Sequence, residues 1–503
     1  MAIANIKKTH TQPPTTEQAP LEKLRREVIG LDTHYPVVEG GSRRRTYLDS
    51  AASTLRLGVV QRALDRYLPH YANTHSTLHY AARLSTTEYA WAHRMVLEFT
   101  GADPARWMCF FTGSGTTAGM NRVARTLRHA RPARDVVVTS IMEHHSNDLP
   151  HRKHFPDVVH VPSVAAANSL GGVDMARMRE AFATHGARIN YVAITGVSNV
   201  TGILNPIHEI AELAHRHGAL IVVDAAQMAA HVPIRISGNP DPAQDLDVVV
   251  FSGHKVYAPG SPGVVVARSE LFAPVEPEEV GGGMVDTVWL DRYTVSQNFP
   301  DREEAGTPNI PGAVGLGAAL YALRSVGMEA IAEDEQRLMA YALEAIATVP
   351  GITVYGASDP AGATRRTGAI TFNLEGCDHA FTAAVLNDYF NIAVRNECFC
   401  AHPYVREMVM ASLDEAADRL SNAELERLAD ERRGMVRASF GIYNTEADVD
   451  TLVAALRAIV ARRDELLPLY ERLDNGDYRH RSFRLDLEAT YSTRAVVDAF
   501  FAG

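Results

Sequence analysis

Long apolar runs are absent from this chain of 503 residues. It contains no stretch of about 18 uncharged apolar residues, the length that a membrane-spanning helix needs. The N-terminal segment MAIANIKKTHTQPPTTEQAP is basic and rich in proline and threonine, without the apolar block of a signal peptide. We therefore expect a cytoplasmic protein that has a loose leader and no membrane partner.

Cysteine is scarce as well. The four cysteines, Cys109, Cys377, Cys398 and Cys400, are too few for a disulfide framework in a chain of this length. Cys398 and Cys400 stand close together in RNECFCAHP, but no second Cys/His pair at the spacing of a structural zinc site accompanies them. The composition predicts a reducing compartment and no metal centre.

An excess of positive charge is also missing, since 49 Lys and Arg against 60 Asp and Glu give a formal net charge of -11. Nucleic acids and anionic membranes bind clustered positive charge, so neither is expected as the main partner. The length exceeds that of one compact domain, while 46% hydrophobic and 22% charged residues are ordinary for a globular protein. We expect two domains.

Short β-branched runs alternate with helical patterns through the middle of the chain. These runs are DVVVTS (135–140), YVAIT (191–195), ALIVVD (219–224), DVVVF (247–251) and GVVVAR (263–268). Because they are apolar throughout, they predict a mainly parallel central sheet with helices on both faces. Between two of them, NPIHEIAELAHRHG predicts a helix with Asn205 as N-cap and its histidines facing solvent. Longer amphipathic helices after about residue 315 predict a smaller α+β domain.

Polar side chains follow the apolar runs, where open parallel sheets bind their ligands. The residues in such positions are Glu143, His144, His145, Ser198, Asn199, Asp224, Gln227, Ser252, His254 and Lys255. Each of them alone is explained as a strand cap, but the whole set predicts one ligand site.

The segment FTGSGTTAGMN (111–121) predicts an anion site. Gly113 and Gly115 allow a tight turn, and Thr116 and Thr117 stand where a helix begins, so free N–H groups and two hydroxyls can hold a phosphate. The segment has neither the P-loop lysine nor the full dinucleotide fingerprint, which disfavours a nucleotide. A plain glycine turn with a threonine cap is the alternative.

A phosphate cradle, a carboxylate after one strand and a lysine after a later one match the needs of pyridoxal 5'-phosphate. The amine of Lys255 forms a Schiff base with the cofactor aldehyde, and Asp224 keeps the pyridine nitrogen protonated so that the ring accepts electrons. For this role Lys255 must lose its proton, which burial favours.

A series of motifs in one order carries a family resemblance over nearly the whole chain between about residues 45 and 460. They are TYLDSAAS (46–53), EHHSN (143–147), VSNVTG (197–202), VVDAAQ (222–227), FSGHKVYAPGSPG (251–263), GGGMV (281–285), EEAGTPNI (303–310), IAVRNECFCAHP (392–403) and VRASFGIYNTEADVD (436–450). The chain resembles the class V aminotransferase-fold enzymes that use pyridoxal phosphate, and among them the group II cysteine desulfurases and selenocysteine lyases most. This resemblance implies the fold type I architecture of pyridoxal phosphate-dependent transferases.

The resemblance also divides the chain. It implies a partly flexible leader over residues 1–45 and a large α/β cofactor domain over 46–310, whose first part can pack with the small domain. The small α+β domain would cover 311–465, and a C-terminal extension 466–503. The extension is apolar enough to pack back on the body.

The resemblance assigns the cofactor contacts residue by residue. His144 would stack on the ring, Asp224 would pair with the pyridine nitrogen, Gln227 would reach the phenolic oxygen, and Asn199 would lie near that oxygen or the substrate. The implied phosphate ligands are Thr116, Thr117, Ser252 and His254. Thr307 in EAGTP would approach the phosphate of a neighbouring subunit, which implies a homodimer with shared active sites.

On the substrate side, the resemblance implies that Arg437 binds the carboxylate of a small amino acid, a task that suits a planar two-donor fork. Arg395 would lie near the substrate and His75 at the site entrance, although a surface contact explains either residue equally well. Cys400 matches the cysteine that takes sulfur from L-cysteine, leaving L-alanine and an enzyme persulfide that a sulfur-acceptor protein can collect. The resemblance also implies L-selenocysteine as a substrate, from which selenium is removed to give L-alanine. The thiolate is the nucleophile in this chemistry, and His402 either assists it or is structural.

Several departures keep other reactions open. Asn396-Glu397-Cys398-Phe399 replaces the more usual Thr-Gly-His-His before Cys400, which leaves the identity of the reactive thiol open between Cys398 and Cys400. Glu303 stands where an aromatic residue is common, and the connection 404–436 is longer than usual. A C–S lyase, an epimerase, an aminotransferase and a cofactor-binding protein without turnover are the alternatives.

Borohydride treatment of the cofactor-loaded protein should fix the cofactor on Lys255, because borohydride reduces an imine to a stable amine. Peptide mass mapping identifies the labelled residue. A label on another lysine, or no label, would overturn the interpretation.

Overall fold

The structure is a computed structural model that describes residues 19–74, 76, 78–166, 169–356, 365–412, 421 and 434–502. Its helices are α1 (Ala19–Arg25), α2 (Gly58–Tyr67), α3 (Tyr80–Phe99), α4 (Gly115–Ala130), α5 (Leu149–His154), α6 (Met175–His185), α7 (Ile207–Arg216), α8 (Ser269–Phe272), α9 (Ile310–Val326), α10 (Met328–Ala347), α11 (His379–Phe390), α12 (His402–Ser412), α13 (Glu446–Leu466), α14 (Leu487–Thr490) and α15 (Thr493–Ala502).

The strands alternate with these helices. They are β1 (His34–Pro36), β2 (Ser42–Arg44), β3 (Thr46–Tyr47), β4 (Trp107–Thr112), β5 (Val136–Ser140), β6 (Asp157–Val161), β7 (Ser163–Ala166), β8 (Ser169–Val173), β9 (Ile189–Thr195), β10 (Leu220–Asp224), β11 (Val248–Ser252), β12 (Gly263–Arg268), β13 (Val285–Val288), β14 (Tyr293–Val295), β15 (Ile352–Tyr355), β16 (Ala369–Leu374), β17 (Ile392–Ala393), β18 (Arg395–Glu397), β19 (Met435–Ser439), β20 (Tyr470–Arg472) and β21 (Tyr478–His480).

The central sheet has the strand order β4-β12-β11-β10-β9-β5-β6. Neighbours from β11 through β6 pair in parallel, whereas β12 pairs antiparallel with both β11 and β4. The link between β11 and β12 is too short for the crossover of about a dozen residues that parallel neighbours need, so β12 returns antiparallel. All five predicted apolar runs form strands, and the mainly parallel sheet is confirmed.

Alternate side chains of each strand enter cores on opposite faces of this sheet. Val248 and Val250 of β11 pack in one core with α4, whereas Val249 and Phe251 pack in the other with α2, α3, α7 and α9. Since both faces are covered, a central strand must be apolar at every position, as the sequence runs were.

A second sheet, antiparallel and ordered β15-β16-β19-β18, forms a separate core together with α10, α11 and α13. An early segment of the chain also belongs to this core: β3 pairs in parallel with β17, and Leu48 is buried there. The domain boundaries given above remain a prediction.

The surroundings of α7 differ from expectation. Asn205 does not cap the helix, since its Nδ2 donates to the Thr195 carbonyl at 2.9 Å and its Oδ1 accepts from the Val173 N–H at 3.1 Å. His208 bonds the Gln244 carbonyl at 2.8 Å, and His215 Nε2 lies 2.8 Å from Asp247. The prediction of solvent-facing histidines was wrong because the segment before β11 folds across this face of the helix.

The C-terminal extension packs back only in part. Tyr470 and Tyr478 of the β20–β21 hairpin contact the Phe381 ring of α11 at centroid distances of 5.4 and 5.6 Å. In α15, by contrast, Phe500 and Phe501 are 78% and 80% exposed. The expectation that the extension packs on the body therefore holds for the hairpin and was wrong for the last helix.

Among the described residues, no single helix is long and apolar enough to cross a membrane. The consecutive helices α9 and α10 reach that length and composition only as a pair, bent by 77° between them. Most apolar residues of α9, among them Leu316, Leu320 and Leu323, are buried in the protein core.

Gly119 allows α4 to lie close to the sheet, since a Cβ there would meet Val250 Cγ1 at 2.6 Å and Val265 Cγ2 at 2.9 Å. We expect Gly119→Ala to lower the free energy of unfolding by about 1–3 kcal/mol through overpacking, as measured by urea denaturation. Gly282→Ala is the control, because a Cβ there meets nothing within 4 Å. Equal effects of the two substitutions would contradict this account.

Candidate active site

A pocket of about 740 Å³ opens at the carboxyl ends of β9, β10 and β11, beside the N-terminus of α4. It brings together most of the side chains that the sequence singled out. Those lining it are Thr116, Thr117, His144, Asn199, Asp224, Gln227, Ser252, His254, Lys255, Arg395, Cys400 and Arg437.

Lys255 ends the single helical turn Gly253–Lys255 that follows β11, so its amine is held at the strand end. The pKa of Lys255 is lowered to about 8, mainly by burial and also by the charge of Arg437, while the charge of Asp224 acts in the opposite direction. At pH 7 about a tenth of the amine is then neutral, far more than for an ordinary lysine, and only the neutral amine can attack an aldehyde.

Asp224 ends β10 with 3% of its surface exposed. Burial raises its pKa, while a hydrogen bond from the Ala226 N–H at 2.9 Å and the charge of Lys255 act against that rise. A buried carboxylate is stabilised by a cationic partner. A protonated pyridine nitrogen in the pocket fits this requirement.

The start of α4 forms a cradle of donors and hydroxyls. The Thr116 N–H donates to Ser252 Oγ at 2.8 Å, and the Thr117 and Ser146 hydroxyls are 2.7 Å apart. Gly115 has a φ of +58°, and a Cβ on it would lie 2.5 Å from Ser252 Oγ, so only glycine fits. Such an N-terminus suits a phosphate.

His144 is neutral in this setting. Burial, together with the nearby charge of Lys255, lowers its pKa to about 4. Its Nδ1 accepts from the Ser146 N–H at 3.1 Å, which places the ring proton on Nε2. An uncharged ring held by Ser146 can stack on a planar cofactor.

Arg437 lies in β19 and reaches the pocket from the smaller sheet. Its Nη1 donates to the Asn199 carbonyl at 2.7 Å, and its guanidinium lies 4.7 Å from the Phe399 ring centroid. Burial lowers its pKa to about 10. Within the described part of the chain, its buried Nε has no hydrogen-bond partner, so it is a donor suited to an incoming carboxylate.

Cys400 is exposed at the edge of the pocket, on a loop with unusual backbone geometry. Glu397, Phe399 and Cys400 have φ values of +87°, +52° and +56°. The loop is fixed by Asn199 Nδ2, which donates to the Phe399 carbonyl at 2.8 Å, and by the His145 N–H, which donates to the Cys400 carbonyl at 2.8 Å.

Cys398 packs against the main core instead. Of the two neighbouring thiols, Cys400 is thus the one that lines the pocket. His402 stacks on His145, with centroids 4.8 Å apart and Nδ1 to Nε2 at 3.0 Å. This contact ties the start of α12 to the turn after β5.

Other sequence candidates lie elsewhere or differ in their contacts. Thr307 lies outside the pocket, where its hydroxyl accepts from Asn73 Nδ2 at 3.1 Å. Gln227 lines the pocket and donates to the Ala51 carbonyl at 2.7 Å. His75 and most of the 404–436 connection lie outside the described residues.

Glu303, the acid in place of an aromatic residue, is buried with 3% of its surface exposed. Its carboxylate lies 3.9 Å from Arg122 Nη1 and 4.0 Å from Arg302 Nε. The two arginines compensate the charge that this position adds, although burial still raises the pKa of Glu303.

Sequence reasoning missed three side chains that shape the site. Ser146 holds His144, Phe399 covers the guanidinium of Arg437, and Asp49 contacts both pocket arginines. Ser146 and Asp49 lie inside recognised motifs, EHHSN and TYLDSAAS, so a signal for them existed. Phe399 lies in a stretch that departs from the family pattern.

The comparisons with known proteins agree with this geometry. Residues 46–452 match the model of the family described as aminotransferase class-V. A cysteine desulfurase of Klebsiella pneumoniae (strain 342) is 38% identical over 415 residues, covering 82% of this chain and 93% of the relative. A cysteine desulfurase of Serratia proteamaculans (strain 568) is 34% identical, covering 88% and 98%.

Two solved structures are similar over most of the chain. The apo cysteine desulfurase of Thermococcus onnurineus NA1 has a TM-score of 0.72 at 28% identity, covering 88% of this chain and 98% of its own. The cysteine desulfurase CsdA of Escherichia coli, in its S-sulfonic acid form, has a TM-score of 0.68 at 28% identity, covering 89% and 98%.

The rate at which the cofactor-free protein takes up pyridoxal phosphate should rise with pH through about 8, because Lys255 loses its proton there. In Asp224→Asn the midpoint should move to lower pH, since the Asp224 charge raises the pKa of Lys255. Stopped-flow absorbance measures the rate, with Lys255→Ala as the blank. An unchanged midpoint in Asp224→Asn would contradict this coupling.

Proposed function

The chain belongs to the class-V aminotransferase family, whose enzymes depend on pyridoxal phosphate, and we propose that it is a cysteine desulfurase. It converts L-cysteine to L-alanine and keeps the sulfur as a persulfide on Cys400. L-selenocysteine is a second substrate. The observation that carries this proposal is the presence of Cys400 in the same pocket as Lys255 and Arg437.

Different pocket residues would contact different parts of the cofactor. Thr116, Thr117, Ser252 and His254 would hold the phosphate; Lys255, Asp224, His144, Gln227 and Asn199 would surround the ring. When bound, the cofactor supplies an electron sink for the bond that breaks at the substrate α-carbon. The buried Asp224 keeps that sink effective because its charge favours a protonated ring nitrogen.

Arg437 would bind the α-carboxylate of the substrate, with its Nε and one Nη as the donors. Phe399 and the Asn199 carbonyl hold the guanidinium in place for this contact. The amine of Lys255, with its pKa lowered to about 8, is the base that removes the proton from the substrate α-carbon.

Sulfur leaves by attack of the Cys400 thiolate on the substrate sulfur. A sulfur–sulfur bond forms as the bond between that sulfur and Cβ breaks, and the electron pair of the broken bond goes to Cβ. Cβ takes up one proton and the Lys255 ammonium returns a proton to the α-carbon, which together complete L-alanine. The thiolate gains the sulfur, and no outside oxidant or reductant enters this step.

The active assembly would be a homodimer, in which Thr307 reaches the phosphate of the partner's site. The position of Thr307 outside the pocket of its own chain supports this arrangement. A sulfur-acceptor protein would then collect the persulfide. Free thiol chemistry of this kind suits the reducing cytoplasm.

Incubation of the loaded enzyme with L-cysteine should yield L-alanine, and Cys400→Ser should lower alanine formation at least about a hundredfold because it removes the nucleophile. Chromatographic analysis of amino acids measures the product. Cys398→Ser is the matched control and should keep most of the activity, since that partly buried side chain packs against the core and does not line the pocket.

Several outcomes would contradict the proposal. Loss of activity in Cys398→Ser but not in Cys400→Ser would assign the nucleophile to Cys398. Pyruvate and ammonia as products would indicate C–S lysis, exchange of the α-proton without alanine would indicate epimerisation, and a keto acid would indicate transamination.

A further inference from the structure

Two histidines hold the segment that carries Cys400. His402 begins α12, two residues after Cys400, and His145 begins the short helical turn after β5. Their rings are parallel within 7°, and His402 Nδ1 is 3.0 Å from His145 Nε2. The His145 N–H also donates to the Cys400 carbonyl at 2.8 Å. His145 therefore holds this segment at two points, one through its backbone and one through its ring.

The two contacts together restrain the backbone of Cys400. The hydrogen bond to the Cys400 carbonyl alone would leave the chain free to turn about that bond, and the contact of the His402 ring, two residues further along, removes this rotation. Cys400 has a φ of +56°, a strained conformation that persists only while the surroundings enforce it. The His402 ring is thus part of what keeps Cys400 in the lining of the pocket.

The ring contact between His145 and His402 is a hydrogen bond between two nitrogens, so one of them must carry a proton and the other must not. Two cationic rings could not form it. Burial lowers the pKa of His145, and the charges of His402 and Arg152 add to this effect, while Asp148 acts in the opposite direction. Since His145 is then neutral near neutral pH, the contact is available there.

The rest of α12 does not depend on His402. His402 is exposed, whereas Tyr404, Val405 and Met408 are buried in the main core. The Tyr404 hydroxyl donates to the Gly171 carbonyl at 3.1 Å. These contacts keep the helix docked when the His402 ring is removed, so a substitution there should loosen the loop and leave the fold intact.

We propose that His402 is a positioning residue for sulfur transfer, which acts through His145 to hold Cys400 where its thiolate reaches the substrate sulfur. Misplacement of a reacting group by about 1 Å costs up to about a hundredfold in rate. Cofactor binding and removal of the α-proton are assigned to Lys255 and Asp224, which lie on other elements, so neither should depend on His402. The inference rests on the proposed role of Cys400 as the nucleophile.

Steady-state kinetics of the loaded enzyme with L-cysteine test this inference. His402→Ala should lower kcat for alanine formation about tenfold and leave KM within about threefold, because attack by Cys400 is slowed while substrate binding is not. His402→Asn should keep most of the wild-type kcat, since its amide can take the place of Nδ1. Glu407→Ala, at an exposed position of the same helix, is the matched control and should behave as the wild type. Equal losses in His402→Ala and His402→Asn would overturn the inference, because the imidazole would then act as an acid or base.

Two further measurements separate positioning from general damage. Exchange of the α-proton of L-alanine in heavy water, followed by NMR, uses Lys255 and the cofactor but no thiol, so its rate should be unchanged in His402→Ala. Amide hydrogen–deuterium exchange, followed by peptide mass analysis, should become faster in segments 141–148 and 396–402 of His402→Ala but not of His402→Asn, since the His145 N–H loses its fixed acceptor. Slower α-proton exchange, or unchanged amide exchange, would count against the inference.

The same experiments distinguish this inference from the proposed function. If the wild-type enzyme forms no alanine from L-cysteine, the desulfurase proposal fails, while amide exchange still tests whether His402 holds the loop. If alanine forms and His402→Ala keeps the wild-type kcat, the inference about His402 alone fails.

Discussion

The electrostatic pair of Lys255 and Asp224 at the end of the central sheet is the constraint on which the site depends. Burial lowers the pKa of the lysine to about 8 and raises that of the aspartate, and each charge opposes the shift of the other. Asp224 ends β10, where it pairs with Val250, and Lys255 follows β11, the neighbouring parallel strand. Strand register therefore places the amine and the carboxylate together at the carboxyl edge of the buried central sheet.

The second half of the site comes from the smaller sheet. Arg437 in β19 and Arg395 in β18 are direct cross-strand partners, and the loop after β18 carries Cys400. Asn199, after β9 of the large sheet, contacts both the Arg437 side chain and the Phe399 carbonyl. Arg437 and the loop of Cys400 are thus fixed to the same residue, Asn199, at the end of the large sheet.

Sequence patterns predicted the central sheet well because its strands are buried on both faces, so each strand carries its own apolar signal. The ordered motifs predicted which side chains meet in the pocket. Contacts that depend on distant segments were beyond reach: His215 meets Asp247 only because the chain before β11 crosses α7. Likewise, the exposure of α15 depends on whether another part of the chain packs against it, which its own sequence does not show.

The loop of Cys400 holds three non-glycine residues with positive φ within four positions, Glu397, Phe399 and Cys400. Each such conformation costs about 1–3 kcal/mol and persists only while the surroundings enforce it. Here two backbone-directed hydrogen bonds, from Asn199 and His145, do so. If Cys400 carries the persulfide as proposed, breaking these two bonds would let the loop relax to ordinary dihedral angles, and the resting backbone would supply part of the energy for moving sulfur toward an acceptor.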